Sequence, residues 1–413
     1  MIDSHRSRLC ALASLAASLV TLSSGAAMAD TKLKIVGNSV QLAKGLVLQR
    51  TAVRRKGGGE PASVGLLQVV EQGRRATIVE DVYSFEGVTL GDNGRVVIEW
   101  ATEESPSERL ETTLSLLRAR IESTAGAALA KKKDLVGAEQ AFARAHALQD
   151  DTESAIALAL VKADRQDLEG ATAVLAPFAK RDPLRLYARL LGSRWLTPFL
   201  DAAPIVAMRS PTPGDARLAL TKPRRGRPAP SGHFLDGDLA WSSHLQTIAV
   251  LQSVYGVDYE EGERSESQSF RLAFLEGKSG AVVFSLSASD TARFGDRLLT
   301  DLGFQAPAKI EYAVLKDDES RGISKGRFPG VQIGLVLGEK ARLFRGDRQL
   351  AEQKLDLSNI RFLDSLVWAA YLPTERLVVY KWRMRPETGS CGSRDTPMET
   401  LFGLFHVDAA DLK

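Results

Sequence analysis

Two histidines and two aspartates lie close together in the second half of the chain. They are His233, Asp236, Asp238 and His244. Imidazole nitrogens and carboxylate oxygens suit zinc or manganese, so these side chains form the candidate metal site of the sequence. Their spacing matches no established ligand pattern, and the segment around Asp236 and Asp238 is also typical of a plain turn. Both interpretations stay open.

Other groupings with catalytic potential are sparse. The sequence has no Gly-x-Ser-x-Gly elbow and no His-Glu-x-x-His pair, which are motifs of serine hydrolases and zinc proteases. Carboxylates cluster at Asp258–Glu261 and Asp317–Glu319. Two acids brought together by the fold could work as a glycosidase pair, but solvated loops are the simpler expectation. Cys391 is expected to be an incidental free thiol.

The N-terminus has the three parts of a secretory signal peptide. A positively charged start is followed by the apolar stretch Leu9–Leu22 and by the small-x-small cleavage site Ala27–Ala29. The apolar stretch is shorter than the roughly 20 residues that span a bilayer, and no second candidate span follows it. We therefore expect residues 1–29 to be removed and the protein to be exported, either periplasmic or secreted.

Charge and length limit the class of partner. The chain has 413 residues, with 54 Lys and Arg against 51 Asp and Glu. Residues 1–29 contain two Arg and one Asp, so the exported chain would carry a net charge of +2. That charge is too small to attract nucleic acid over the whole surface, and no nucleic-acid partner is expected. The length is sufficient for two or three domains, and the oligomeric state stays open.

The residues that follow the signal are predicted to form a small β domain over 30–104. Asp92-Asn93-Gly94 supplies the positive φ angles of a tight hairpin. Apolar side chains then alternate at Val96, Ile98 and Trp100. A period of two residues is the pattern of a strand with one buried face.

A change of period marks the middle of the chain, residues 105–203. Ser105–Glu108 carries helix-start signals, and apolar residues then recur at helical spacing. Lys133–Ala138 is matched 33 residues later by Gln166–Ala171. Both stretches stand where one helix is expected to turn into the next, so the spacing predicts two helix–turn–helix units.

These two units resemble the tetratricopeptide repeat, a helix–turn–helix module of about 34 residues. Small residues stand in the first helices at Gly126 and Ala159, and alanines open the second helices at Ala138 and Ala171. The tryptophan and tyrosine of the family's first helix are absent from both units. The match covers only about residues 107–200.

The resemblance implies that the inner faces of the first helices bind a partner. In the geometry of that family, the polar and charged residues on these faces would be Arg120, Ser123, Lys131, Glu153 and Asp164. Their mixed charge suits a peptide ligand better than a polyanion.

The remaining residues are predicted to form a linker and a second β region. Residues 204–232 are rich in proline and contain the basic stretch Lys222–Arg227, which is interpreted as a solvated connection rather than a polyanion-binding strap. Residues 233–413 return to strand periodicity, with one helix predicted over Asp290–Leu302 and ended by Gly303.

The sequence thus predicts an α+β protein with three folded parts. These are an N-terminal small β domain, a helical tetratricopeptide-like repeat segment and a C-terminal β-rich domain with one helix. The predicted function is an exported scaffold that binds a protein or peptide through the helical surface, with no cofactor. An envelope hydrolase with its active site in residues 233–413 is one alternative, although enzymatic activity is not favoured. A structural component of an envelope or secretion assembly is the other.

Overall fold

A computed structural model gives the fold. It describes residues 31–54, 63–91, 93–102, 108–216, 239–260, 263–318, 323–338, 340–354, 360–386 and 399–412. The predicted signal peptide, Cys391 and most of the predicted linker lie outside these residues. The chain divides into two compact units: unit 1 is Met1–Leu186 with Ser193–Ile205, and unit 2 is Tyr187–Gly192 with Val206–Lys413.

Eight strands of unit 1 form two four-stranded antiparallel sheets. They are β1 (Thr31–Lys32), β2 (Ser39–Ala43), β3 (Leu46–Arg54), β4 (Ser63–Glu71), β5 (Arg74–Val79), β6 (Ser84–Leu90), β7 (Arg95–Ala101) and β8 (Glu108–Thr113). The strand orders are β1-β6-β7-β8 and β2-β3-β4-β5. Alternate apolar side chains of both sheets, including Leu48, Leu67 and Ile98, share one core. The strand pattern predicted after residue 94 is confirmed by β7.

Helices follow the strands directly. They are α1 (Leu114–Lys131), α2 (Leu135–Leu148), α3 (Thr152–Asp164), α4 (Leu168–Arg181) and α5 (Pro183–Gly192), followed by a 3₁₀ turn (Thr197–Asp201) and by α6 (Ala203–Val206). One side of α1 packs Leu117 and Ile121 into the β core. Another side approaches α2, because a side-chain carbon on Gly126 would lie 3.0 Å from the ring of Phe142. Within the described chain, no helix is long and apolar enough to cross a bilayer.

The turns that precede α2 and α4 are built in the same way. Lys133 and Gln166 adopt left-handed φ angles of 65° and 67°. The next residue is an aspartate N-cap in both turns: Asp134 accepts from the amide of Gly137 at 3.0 Å, and Asp167 accepts from the amide of Gly170 at 2.8 Å. These side chains satisfy amides that the helix itself leaves without a partner.

The predicted fold class is wrong as stated, and only the coarser assignment of a mixed α+β protein holds. Five antiparallel sheets dominate the described chain, and its helices number only seven, so a helical tetratricopeptide-like segment is not shown. The helix predicted to start at Ser105–Glu108 is instead preceded by the edge strand β8. Helix α1 begins only after the N-cap Thr113. The reason is pairing with β7, where Leu110 lies opposite Ile98.

Unit 2 contains three antiparallel sheets. Its strands are β9 (Leu239–Ser242), β10 (Thr247–Glu260), β11 (Glu263–Glu276), β12 (Val282–Ser285), β13 (Glu311–Tyr312), β14 (Val314–Asp318), β15 (Ile323–Phe328), β16 (Ile333–Leu337), β17 (Lys340–Arg345), β18 (Arg348–Lys354), β19 (Ile360–Leu372), β20 (Leu377–Pro386) and β21 (Glu399–His406). The orders are β12-β11-β10-β9, β13-β19-β20-β21 and β14-β15-β16-β17-β18.

The sheet β13-β19-β20-β21 lies between the other two and is buried on both faces. On β20, Leu377 and Val379 belong to the core shared with the β9–β12 sheet. Val378 and Tyr380 belong to the core shared with the β14–β18 sheet. Because both faces are covered, the first four residues of this strand, Leu377–Tyr380, are continuously apolar rather than alternating.

A long helix of unit 2, α7 (Ala288–Asp301), agrees with the helix predicted over Asp290–Leu302. Ser287 is its N-cap, and Gly303 follows its end with a φ of +71°. The helix packs on β11, where the hydroxyl of Thr291 accepts from the amide of Leu272 at 3.1 Å.

Candidate functional site

Helix α1 has a further side, on which Ala127 packs against the helical core. Arg120, Ser123 and Lys131 lie on it, because they are separated by close to whole numbers of helical turns. Arg120 and Ser123 are partly buried, and Lys131 is exposed. We call these three residues the α1 site.

Arg120 stands out because it is a partly buried cation without a counter-ion. Its guanidinium makes no hydrogen bond or ion pair with any residue that the structure describes. Burial lowers the pKa of this guanidinium, and no carboxylate offsets the effect. Withdrawing a charge from water without pairing it destabilises the fold. An anionic group from outside the chain would remove that penalty.

Two carboxylates of the neighbouring helices, Glu122 and Glu139, are each paired with two cations. Glu122 of α1 accepts from Arg74 at 2.6 Å and from Arg144 at 2.9 Å. Glu139 of α2 is bound by Lys162 and Arg165 of the α3 end. These contacts join neighbouring elements, so we interpret them as structural rather than as part of a binding surface.

The two predicted site residues of α3 are placed differently from those of α1. Glu153 is only 5% exposed and lies in the stretch Thr152–Ala159, in which every residue is buried. Asp164 is partly buried at the end of the helix. A ligand could therefore reach the α1 site without reaching Glu153.

A second polar cluster, missed by the sequence reasoning, joins α2 to the start of α3. Nδ1 of His146 lies 2.9 Å from Oγ of Ser154, and Nε2 lies 4.0 Å from Oδ1 of Asp150. These are the three residue types of a hydrolase triad. The hydroxyl of Ser154, however, donates to the carbonyl of Gln149 at 2.6 Å. Its one proton is used there, so Ser154 is not prepared for attack by His146 acting as a base.

The candidate metal site is largely outside the described residues. His233, Asp236 and Asp238 are not described, and His244 is exposed. Nε2 of His244 lies 2.9 Å from the carbonyl oxygen of Met208. A carbonyl only accepts, so this nitrogen carries the proton and is not a free ligand. In the part of the chain that the structure describes, no group of three or more His, Cys, Asp or Glu could hold a metal. The metal site stays a prediction.

Comparison of the chain with family models, with curated proteins and with solved structures finds no match. The resemblance to the tetratricopeptide repeat therefore stays a prediction. The α1 site is therefore the basis of the functional proposal.

Proposed function

We propose that unit 1 is a binding module that holds an acidic peptide segment of a protein partner against the α1 site. The observation that carries this proposal is the partly buried guanidinium of Arg120, which has no counter-ion among the described residues. Arginine offers a planar fork of N–H donors that matches a carboxylate in a bidentate pair. A glutamate or aspartate of the partner would supply the missing charge.

The position of Lys131, the second cation of the site, determines the expected spacing between acidic groups of the ligand. Eleven residues separate Arg120 from Lys131, which is about 16 Å along the helix axis. An extended peptide covers that distance in about five residues. We therefore expect two acidic side chains about five positions apart, with the hydroxyl of Ser123 available to the peptide between them.

The neighbouring charges favour a short acidic segment over a long polyanion. Glu122 and Glu139 are each neutralised by two cations of the chain. These two carboxylates are therefore not available to neutralise the cations of the α1 site. The N-terminal sequence supports a partner outside the cytoplasm, and we propose the same location for this chain.

A peptide array tests the proposal directly. Ten-residue peptides would carry two glutamates at separations from two to eight positions, and matched peptides would carry glutamines instead. We expect the strongest binding of residues 30–413 near a separation of five, with none to the glutamine series. An array on which both series bind equally would contradict the proposal.

Variants assign the binding to the site. Arg120→Gln is expected to weaken binding by on the order of 10- to 100-fold, because charge-assisted hydrogen bonds are lost. Arg120→Lys keeps the charge but not the fork, so an intermediate loss is expected. Lys180→Gln removes an exposed cation from α4 and is the matched control. Equal losses in Lys180→Gln and Arg120→Gln would show that only net charge matters.

A further inference from the structure

The outer face of the β14–β18 sheet is strongly basic. Its inner face packs into the core through residues such as Leu335 and Leu343, and its outer face carries the alternate residues of each strand. Seven charged residues stand there among the described side chains, which are Lys316, Lys325, Arg327, Lys340, Arg342, Glu352 and Lys354. Only one of these seven is an acid.

The single acid neutralises one side of this face. Glu352 is bound by Lys340 and by Arg342, the latter at 2.9 Å. Lys316, Lys325 and Arg327 form no ion pair with any residue that the structure describes. We call these three residues the basic triad.

The arrangement of the basic triad costs stability. Lys316 on β14 lies directly opposite Lys325 on β15, and like charges in directly opposed positions repel. A lysine on an edge strand is a common protection against strand pairing, which accounts for Lys316. It does not account for Lys325 and Arg327, because β15 is an interior strand with β14 and β16 on its two sides. Protection of a sheet edge therefore explains one residue of the triad and leaves Lys325 and Arg327 unexplained.

The triad is compact enough to engage phosphate groups. Neighbouring strands are about 4.8 Å apart, and residues two positions apart on one strand are about 7 Å apart. Arg327 lies opposite Gly334 on β16. A side-chain carbon on Gly334 would have no neighbour closer than 3.9 Å. The outer face is therefore open at Gly334, directly across from Arg327.

An exposed apolar side chain adjoins the triad. Val314 lies directly opposite Arg327 and is 64% exposed. An aliphatic side chain beside a group of cations is typical of a surface that meets the headgroup region of a bilayer. A polyanion dissolved in water would gain little binding free energy from contact with the apolar side chain of Val314.

We propose that the outer face of the β14–β18 sheet docks on a bilayer that contains anionic phospholipid, with Lys316, Lys325 and Arg327 against the headgroup phosphates and Val314 at the interface. The surface charge of such a bilayer offsets the repulsion within the triad. This site and the α1 site belong to different units, so the two proposals fail independently.

Co-sedimentation with vesicles tests the proposal. Residues 30–413 would be mixed with vesicles of three parts phosphatidylcholine to one part phosphatidylglycerol, and with vesicles of phosphatidylcholine alone. Binding is expected only to the anionic vesicles and is expected to fall with added salt. Because each Lys or Arg strengthens such binding roughly five-fold, the triple variant Lys316→Gln/Lys325→Gln/Arg327→Gln should bind on the order of 100-fold more weakly.

The matched control removes the same charge elsewhere. Lys44, Lys180 and Lys278 are exposed and lie outside the β14–β18 sheet. Their triple change to Gln should leave vesicle binding within a few-fold of the unchanged chain. The melting temperature of the triad variant should be equal or higher, because the repulsion between Lys316 and Lys325 is removed.

Three results would overturn the proposal. The first is equal binding to neutral and anionic vesicles. The second is an equal loss in both triple variants, which would assign the effect to net charge. The third is a failure to bind the anionic vesicles. Triad-dependent binding of a labelled oligothymidine would then identify nucleic acid as the partner.

Discussion

The helices of unit 1 and the outer sheet of unit 2 use charge in opposite ways. In the helices, Glu139 is bound by Lys162 at 2.9 Å and also by Arg165, so its charge is satisfied within the fold. On the outer sheet, Lys316 and Lys325 face each other, and neither forms an ion pair with a residue that the structure describes. Paired charges thus stabilise the helical region, whereas repulsion between like charges destabilises the sheet. Uncompensated charge of this kind is the better indicator of a binding surface.

The two proposed sites differ in the same respect. Arg120 is partly buried, so its interaction with a carboxylate should be strong and specific for one position. The basic triad is exposed, so its attraction should be additive over residues and sensitive to salt.

Phe142→Ala tests how far packing outweighs charge in the helices. Phe142 is 2% exposed and forms part of the helical core with Ala138 and Leu158. We expect a loss of about 3–5 kcal/mol in the free energy of unfolding, measured with urea, because a large cavity remains. Phe142→Leu leaves a smaller cavity and should cost clearly less. If the two variants were equally stable, the ring would not be a packing element.

Glu122→Gln asks whether the paired charges of unit 1 are structural. The Glu122 side chain is 9% exposed and accepts from Arg74 at 2.6 Å and from Arg144 at 2.9 Å. Since hydrogen bonds between charged groups are lost, the expected loss is about 1.5–3 kcal/mol in the free energy of unfolding. Adding Arg144→Gln should cost less in this background than in the unchanged chain. Strict additivity would mean that the pair is not coupled.

Local chemistry explains what could be predicted of the fold. The turns before α2 and α4 were visible because an aspartate N-cap and a glycine three residues later lie within one short stretch. The helix start predicted from the local signals at Ser105–Glu108 was wrong, because the pairing of β8 with β7 depends on residues at a distance in sequence. The apolar runs of β19 and β20 indicated strands. Neither run indicates which sheets cover the two faces of these strands.

The same distinction between local and distant residues applies to the two candidate sites. Arg120 could be selected from a helical pattern, but its lack of a counter-ion depends on where every carboxylate of the fold lies. The basic triad was missed because Lys316 and Lys325 come together only through strand register. Alternating cations at Lys325 and Arg327 were the one sequence signal available. Such a pattern usually means no more than a solvated strand face.

Acidification should weaken the helices of unit 1 through Glu139. Hydrogen bonds from Lys162 and Arg165 hold the pKa of Glu139 below its usual value of 4.5. A carboxyl whose folded pKa is lowered stabilises the protein above the unfolded pKa, and this contribution is lost as pH falls through the folded value. Glu139→Gln should therefore cost about 0.5–1 kcal/mol at neutral pH. The difference from the unchanged chain should vanish well below pH 4.5. A difference that persists in acid would point to packing instead of charge.

Replacing lysine by glutamine at two positions of the outer sheet should change the free energy of unfolding in opposite directions. Lys316→Gln removes the repulsion with Lys325 and should raise the free energy of unfolding by about 0.2–1 kcal/mol. Lys340→Gln removes a partner of Glu352, whose pKa is lowered by Lys340 and Arg342, and should lower stability at neutral pH. Salt should shrink both differences, since both side chains are exposed. If Lys316→Gln were also destabilising, Lys316 would have a counter-ion in the fold and the triad would not be free for a bilayer.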